Sequence, residues 1–445
     1  MTDNSRRGEA ASAPAGIFRA LATRNYRIWA GGALVSNVGT WMQRTAQYWL
    51  VMTELTPKNA TAIGIVMSLQ FGPQLLLLPL TGFTADHFER RKVLMVTQAV
   101  MGVLALGLGA LTVMGLVELW HVYVCALLLG LATAFDSPAR HTFVSELVGE
   151  EGLSNAVALN AASFNSARMI GPAVAGAVIA AVGSGWVFLV NAASFLAVLC
   201  SLTCLRVSEL HPSHRAERSG GIAEGFRYVW GRSDLKSIFL MLFLIGTFGA
   251  NFPIFITTMS VAVFQVGAEK YGILTSAMAL GSVTGSLLAA RRIRPQFRHL
   301  LIGSGLFGVG CLLSAVMPSY RLFAATLVIV GISAQTFTTS TNSLVQLTTE
   351  RAMRGRVMAM LIAILTGGTP LGAPVVGWVA DYWGPRWALG VGAASGFCAA
   401  LVAIRYLAIH RGLRIARVGG RLRLILDDPT PKPGLCEAAP EMEVL

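Results

Sequence analysis

The chain has 445 residues, of which 54% are hydrophobic and only 13% charged, with a mean hydropathy of +0.62. Soluble domains carry about a quarter charged residues, so this composition excludes an ordinary soluble protein and points to a bilayer. The net charge of +13 does not mark a nucleic-acid binder, because the basic residues sit in short gaps between apolar runs, where they act as topology signals.

In chain order, residues 1–27 form a polar arm carrying Arg6 and Arg7. The arm lacks the short apolar core and cleavage site of a signal peptide. A bilayer core about 30 Å thick needs about 20 largely apolar residues per spanning helix. Twelve such runs follow. Six occupy 28–52, 62–83, 93–116, 119–139, 155–182 and 186–205. Six more occupy 237–264, 271–290, 299–317, 322–344, 357–382 and 387–409. The turns Ser184-Gly185 and Gly384-Pro385 separate the closest pairs. The expected organisation is an N-terminal arm (1–27), a six-helix half (28–205), a linker (206–236), a second six-helix half (237–409) and a tail (410–445). Of the 35 Lys and Arg residues, 29 fall on the side of the bilayer that holds the N-terminus, 4 fall in the opposite loops, and Arg44 and Arg168 lie within spans. By the positive-inside rule both chain ends are cytoplasmic.

Span 1 carries Gln43, Arg44 and Gln47, with Glu54 just beyond it. A charge at depth costs about 2.5–3.5 kcal/mol or more and normally faces a partner or a wet cavity. Arg44 therefore binds an anionic substrate group, counters a carboxylate, or snorkels to the surface. Arg168, near the middle of span 5, has less escape and is a substrate or pairing candidate. Between spans 2 and 3 stand Gly82, Asp86, Arg90 and Arg91. Gly82 allows close helix approach. Asp86 can pair with Arg90 or Arg91, or sit at a helix N-terminus; the plainer reading is a solvated, positive-inside loop. Asp136 ends span 4 and can partner either that basic loop or Arg140 at i+4. Span 5 places Ser163, Ala167, Gly171 and Ala175 at every fourth position, with Pro172 and Gly176 beside them, a face suited to close helix packing in lipid. No carboxylate falls at the centre of a span; Glu54, Asp136 and Asp381 lie toward ends.

The sequence also repeats. Gly171, Val174, Gly176, Gly183, Trp186, Ala192, Ala193 and Ser194 recur 201 residues later, ending at Ala393, Ala394 and Ser395. Phe18, Arg19 and Arg24 recur 208 residues later as Phe226, Arg227 and Arg232. Two homologous halves in the same orientation place a substrate site at their interface, with alternating access by rocking. The six cysteines form no ligand spacing, and there is no ATP-binding P-loop, HExxH pattern or Gly-x-Ser-x-Gly elbow. The expectation is a non-enzyme without cofactor or metal. The segment 410–426 alternates Arg with apolar residues and is expected as a basic amphipathic helix or as disorder.

The 82–92 loop resembles the signature of the major facilitator superfamily at Gly82, Ala85, Asp86, Arg90 and Arg91, and departs from it at Thr84 and Glu89. The phrases Asn37-Val38-Gly39-Thr40-Trp41-Met42-Gln43, Asp136-Ser137-Pro138-Ala139-Arg140 and Arg354-Gly355-Arg356-Val357-Met358 resemble its enterobactin-exporter-like and drug–proton antiporter branch. The resemblance implies an all-α polytopic protein of the major facilitator fold, with the Asp86 loop as a conformational latch. Gly171-Pro172 with Gly176 is similar to an exporter signature of that family. The implied role is export of a hydrophobic or amphipathic drug or siderophore across a bacterial cytoplasmic membrane, coupled to protons, by a monomer in the lipid bilayer. Two other readings stand beside it: uptake of a polar nutrient, and a non-transporting membrane scaffold or sensor.

Overall fold

The computed structural model describes residues 16–211, 222–290, 296–410, 414–418 and 421–425. Twelve helical rods follow one another in chain order. Spans 1 and 2 are Arg24–Leu50, extended by a π-turn to Leu55, and the pair Ala60–Leu76 and Leu78–His87. Spans 3 to 6 are Arg90–Val113, Leu119–Glu150, Gly152–Val182 and Ser184–Thr203. Spans 7 to 9 are Ser233–Val263, Ala268–Ala289 and Phe297–Val316; spans 10 to 12 are Tyr320–Thr348, Arg354–Trp383 and Pro385–His410. Among the described residues, spans 3 to 12 are the ten helices long and apolar enough to cross a membrane on length and composition alone. Span 1 is long enough but carries Asn37, Gln43, Arg44 and Gln47, and span 2 is broken at Leu77, where Pro79 supplies no N–H to bridge the gap. With these two the expected twelve are present.

Most boundaries fall within a few residues of those read from hydropathy. Spans 4 and 5 extend farther than expected, to Glu150 and from Gly152, and Gly149 (φ +65°) makes the turn between them. The expected linker contains a short helix, Ile222–Gly231, on which Phe226 and Trp230 stack at 5.2 Å and remain exposed. At the C-terminus the backbone of Arg414–Val418 pairs antiparallel with Arg421–Ile425, a β-hairpin in place of the expected amphipathic helix or disorder.

The repeat is carried into packing. Gly171 of span 5 sits against Val38 and Trp41 of span 1, and its repeat mate Gly372 of span 11 sits against Thr247 of span 7. Gly176 meets Ala268 at the start of span 8, and Gly377 meets Ala60 at the start of span 2. Gly64 lies against Ala373, and Gly272, 208 residues later, lies against Pro172. Small residues let these backbones touch in the way that lipid-embedded helices associate. Two seams, span 2 with span 11 and span 5 with span 8, therefore join the halves under one approximate twofold.

The seams are not closed along their whole length. One apolar cluster crosses between the halves. It gathers Met52, Ile63, Phe188, Phe255, Phe323 and Leu389 at the end of the bundle opposite the basic loops. At the basic end each half keeps its own cluster, around Phe143 and Leu202 in the first and Leu300 and Val345 in the second. The far end is sealed.

Candidate functional site

Between the halves lies a cavity lined by Trp41, Arg44, Tyr48, Phe71 and Arg168 of the first half and Phe252, Tyr271 and Met278 of the second. Span 7 breaks at this level. A π-turn, Ile245–Gly249, ends its first segment, Asn251 is fully buried and donates to Thr247 O at 2.7 Å, and Pro253 opens the next segment. Irregular helix at membrane depth is tolerated where it borders a cavity, and Ala250, Phe252 and Pro253 do so. A second hollow runs from Arg44 toward the basic end, past Asn160, Arg140, Asp136 and His141.

Arg44 and Arg168 stand over the same indole. Their guanidinium carbons lie 5.1 and 5.7 Å from the Trp41 ring centre, and Arg44 is also 5.6 Å from that of Phe71. Arg44 does not snorkel; the Trp41 shelf one helical turn away holds it inward. Desolvated cation–π contacts of this kind contribute about 2 kcal/mol. Arg44 Nε is buried without a hydrogen-bond partner. Beside it, Gln43 accepts from Asn191, Gln47 is fully buried with both amide atoms unpartnered, and Tyr48 donates to Gln70 at 3.2 Å.

The carboxylates sit away from this cavity. Asp136 is 4% exposed; one oxygen accepts from Thr97 and Gln98 of span 3, and the other from Arg140 at 2.8 and 3.0 Å. Its partner is thus the i+4 arginine, and among the described residues no contact joins it to Arg90 or Arg91. Replacing Asp136 by Ala leaves Arg140 uncompensated and is expected to lower stability by about 3–5 kcal/mol, read as a lower melting temperature in detergent; the Asn variant should lose less.

At the far end Glu54 accepts from Ser184 at 2.6 Å. Asp381 reaches from span 11 across the seam to the first residues of span 2. It accepts from the Ala60 and Thr61 N–H groups at 2.6 and 2.8 Å and from the Thr61 hydroxyl at 2.6 Å.

At the basic end Arg90 pairs with Glu146 of span 4, and Arg91 donates to Leu202 O of span 6 at 2.8 Å. Gly82 and Asp86 lie in the helix Leu78–His87, and their side-chain surroundings fall outside the described residues. In the second half Arg356 pairs with Glu224 of the short helix. Neither Glu146 nor Glu224 is marked by local sequence, because each lies far along the chain from its arginine. The Trp49–Tyr271 stack at 5.4 Å across the halves likewise joins residues far apart in sequence.

Twelve spans in two repeat-related halves around a central cavity define a secondary transporter of the major facilitator type. A family model described as a transmembrane secretion effector matches residues 15–412, and the chain belongs to that family. It is similar to the multidrug efflux pump Tap of Mycolicibacterium fortuitum, 27% identical over 373 residues that cover 78% of this chain and 87% of the relative. It is also similar to the staphyloferrin A transporter of Staphylococcus aureus, at 24% identity over 85% of this chain and 94% of the relative. The enterobactin exporter EntS of Escherichia coli matches at 24% identity over 82% and 87%. Among solved structures, a POT family transporter in complex with 5-aminolevulinic acid superposes with a TM-score of 0.70 at 11% identity, covering 87% of this chain and 96% of that one. The nucleoside transporter NupG superposes with a TM-score of 0.67 at 14% identity, over 86% and 98%.

Proposed function

We propose that the chain exports a hydrophobic or amphipathic small molecule from the cytoplasm by alternating access, driven by proton antiport. The observation that carries this is the cavity of aromatic and methionine side chains between the halves, sealed at the far end by glycine-mediated seams and a shared apolar cluster. The excess of Lys and Arg at the opposite end supports a cytoplasmic placement of that end and of both chain ends; in this reading the protein works as a monomer in a bacterial inner membrane. The cavity then opens inward, ready to load. The efflux and siderophore-export functions named for the relatives support the direction, and the greasy lining favours such a substrate over a polar nutrient.

The proton needs a carboxylate, and Asp136 and Asp381 are placed for it. Asp381 faces the outside and, as an anion, holds the N-terminus of span 2, where negative charge is favoured. Protonation removes that charge and loosens the far seam from the side on which protons enter. Asp136 lies on the inner path between Thr97, Gln98 and Arg140 and is the matching site for release. Gly82, Asp86, Arg90 and Arg91 form the inner latch, which closes when the far end opens.

The test is export of fluorescent amphiphiles from an efflux-deficient bacterial host, with and without a protonophore. Protonophore-sensitive export is expected, and Asp86→Asn should abolish it at normal membrane levels. Export indifferent to the protonophore overturns antiport, and full export by Asp86→Asn removes the latch.

A further inference from the structure

We infer that the central cavity takes an anionic amphiphile, its acidic group held by Arg44 and Arg168 and its apolar body laid against the aromatic walls. This rests on the reading of the cavity as the transport site. Both guanidinium groups stand on the Trp41 ring and line the same space. Both lie within 5.7 Å of one ring centre, so their like charges repel, yet among the described residues no acidic side chain lines the cavity. Among the described residues neither arginine has an ion pair. Each carboxylate that approaches the interior is engaged elsewhere: Asp136 with Arg140, Glu54 with Ser184 and Asp381 with the start of span 2.

Two like charges in a low-dielectric space need a counter-charge, because the field between them is weakly screened. Cation–π contact with Trp41 orients the arginines without neutralising them. It leaves their N–H donors for a ligand; Arg44 Nε is one that no protein atom satisfies. Guanidinium groups match planar or tetrahedral oxyanions bidentately, so a carboxylate, sulfonate or phosphate fits. The remainder of the ligand is fixed by Phe71, Phe252, Tyr271 and Met278, which offer apolar area and ring faces. A lipophilic cation meets the same walls and two repelling charges.

The probe is a matched trio sharing one naphthyl body and ending in a sulfonate, a neutral sulfonamide or a trimethylammonium group. Binding is measured on the full chain in lipid nanodiscs, with empty nanodiscs subtracted. The sulfonate is expected to bind at least about tenfold tighter than the sulfonamide, with the cation weakest and added salt eroding the preference. Arg44→Gln and Arg168→Gln should each weaken the sulfonate about tenfold or more and leave the sulfonamide unchanged, while the Lys variants keep part of the difference. Equal binding of the three probes by the unaltered chain overturns the inference and needs no variant to fold. Equal losses for all three probes in the Gln variants overturn it as well, because they mark a structural role. Flux in proteoliposomes is read separately. Sulfonate-selective binding without outward flux leaves the inference standing and removes export. Outward flux of the neutral or cationic probe with no charge preference removes the inference and leaves export standing.

Discussion

Replacing Gly372 by Ala is expected to cost about 3 kcal/mol or more of stability, one of the largest effects of any single methyl group in the molecule. A Cβ at this position would overlap the carbonyl oxygen of Thr247 and also press on its side-chain methyl. Backbone has no rotamer through which to yield, so span 11 must move away from span 7. Span 7 is already irregular here, with its π-turn at Ile245–Gly249 and the buried Asn251 cap, so a displacement would also disturb the wall formed by Ala250 and Phe252. Gly390→Ala is the matched control. It lies in the neighbouring helix with nothing near its would-be Cβ, and its effect should stay within about 0.5 kcal/mol. Melting of the two purified variants in detergent decides the matter; equal stability would mean that spans 7 and 11 do not approach as closely as described.

Removing the Asp381 carboxylate should act on conformation more than on folding. Its three hydrogen bonds join the halves across the closed far end. Hydrogen bonds to a charged group contribute about 1.5–3 kcal/mol, so Asp381→Ala should move the closed-to-open balance by at least about tenfold toward the open state. Asn retains an acceptor and should fall between. A cysteine replacing Thr258, which is 1% exposed at the far end, reports the change once the native cysteines are removed. Labelling by a membrane-impermeant maleimide should speed up by about that factor in the Ala variant. An unchanged rate would show that the glycine seams alone hold the far end shut.

The architecture was legible from composition because a bilayer imposes a length and an apolarity on every crossing. Spans 3 to 12 satisfy both. Span 1 was still readable although Gln43, Arg44 and Gln47 dilute its hydropathy, because its flanks and length fit. The eight identities at a spacing of 201 named Gly171 and Gly176, whose repeat mates Gly372 and Gly377 make equivalent close contacts. What the linear pattern could not supply was the facing of each helix. Whether Arg44 escaped to the surface or turned inward depended on Trp41 and Phe71 forming a shelf for it, and Phe71 belongs to another span. The partner of Arg90 is Glu146, 56 residues away, and no local spacing reveals such a pair. The break in span 7 did have a signal, Asn251 and Pro253 two residues apart, which an unbroken hydropathy run concealed. At 414–418 and 421–425 alternating Arg and apolar residues have the period of a strand as much as of a helical face.

The approximate twofold does not extend to Asp381. The position 201 residues before Asp381 is Ala180, so the start of span 8 has no counterpart of the carboxylate that clasps the start of span 2. The two seams are alike in their glycines and unlike in their fastening. Parting spans 2 and 11 therefore has to break three hydrogen bonds to Asp381 that parting spans 5 and 8 does not. The two edges of the far end are thus unequal in strength although their glycines match.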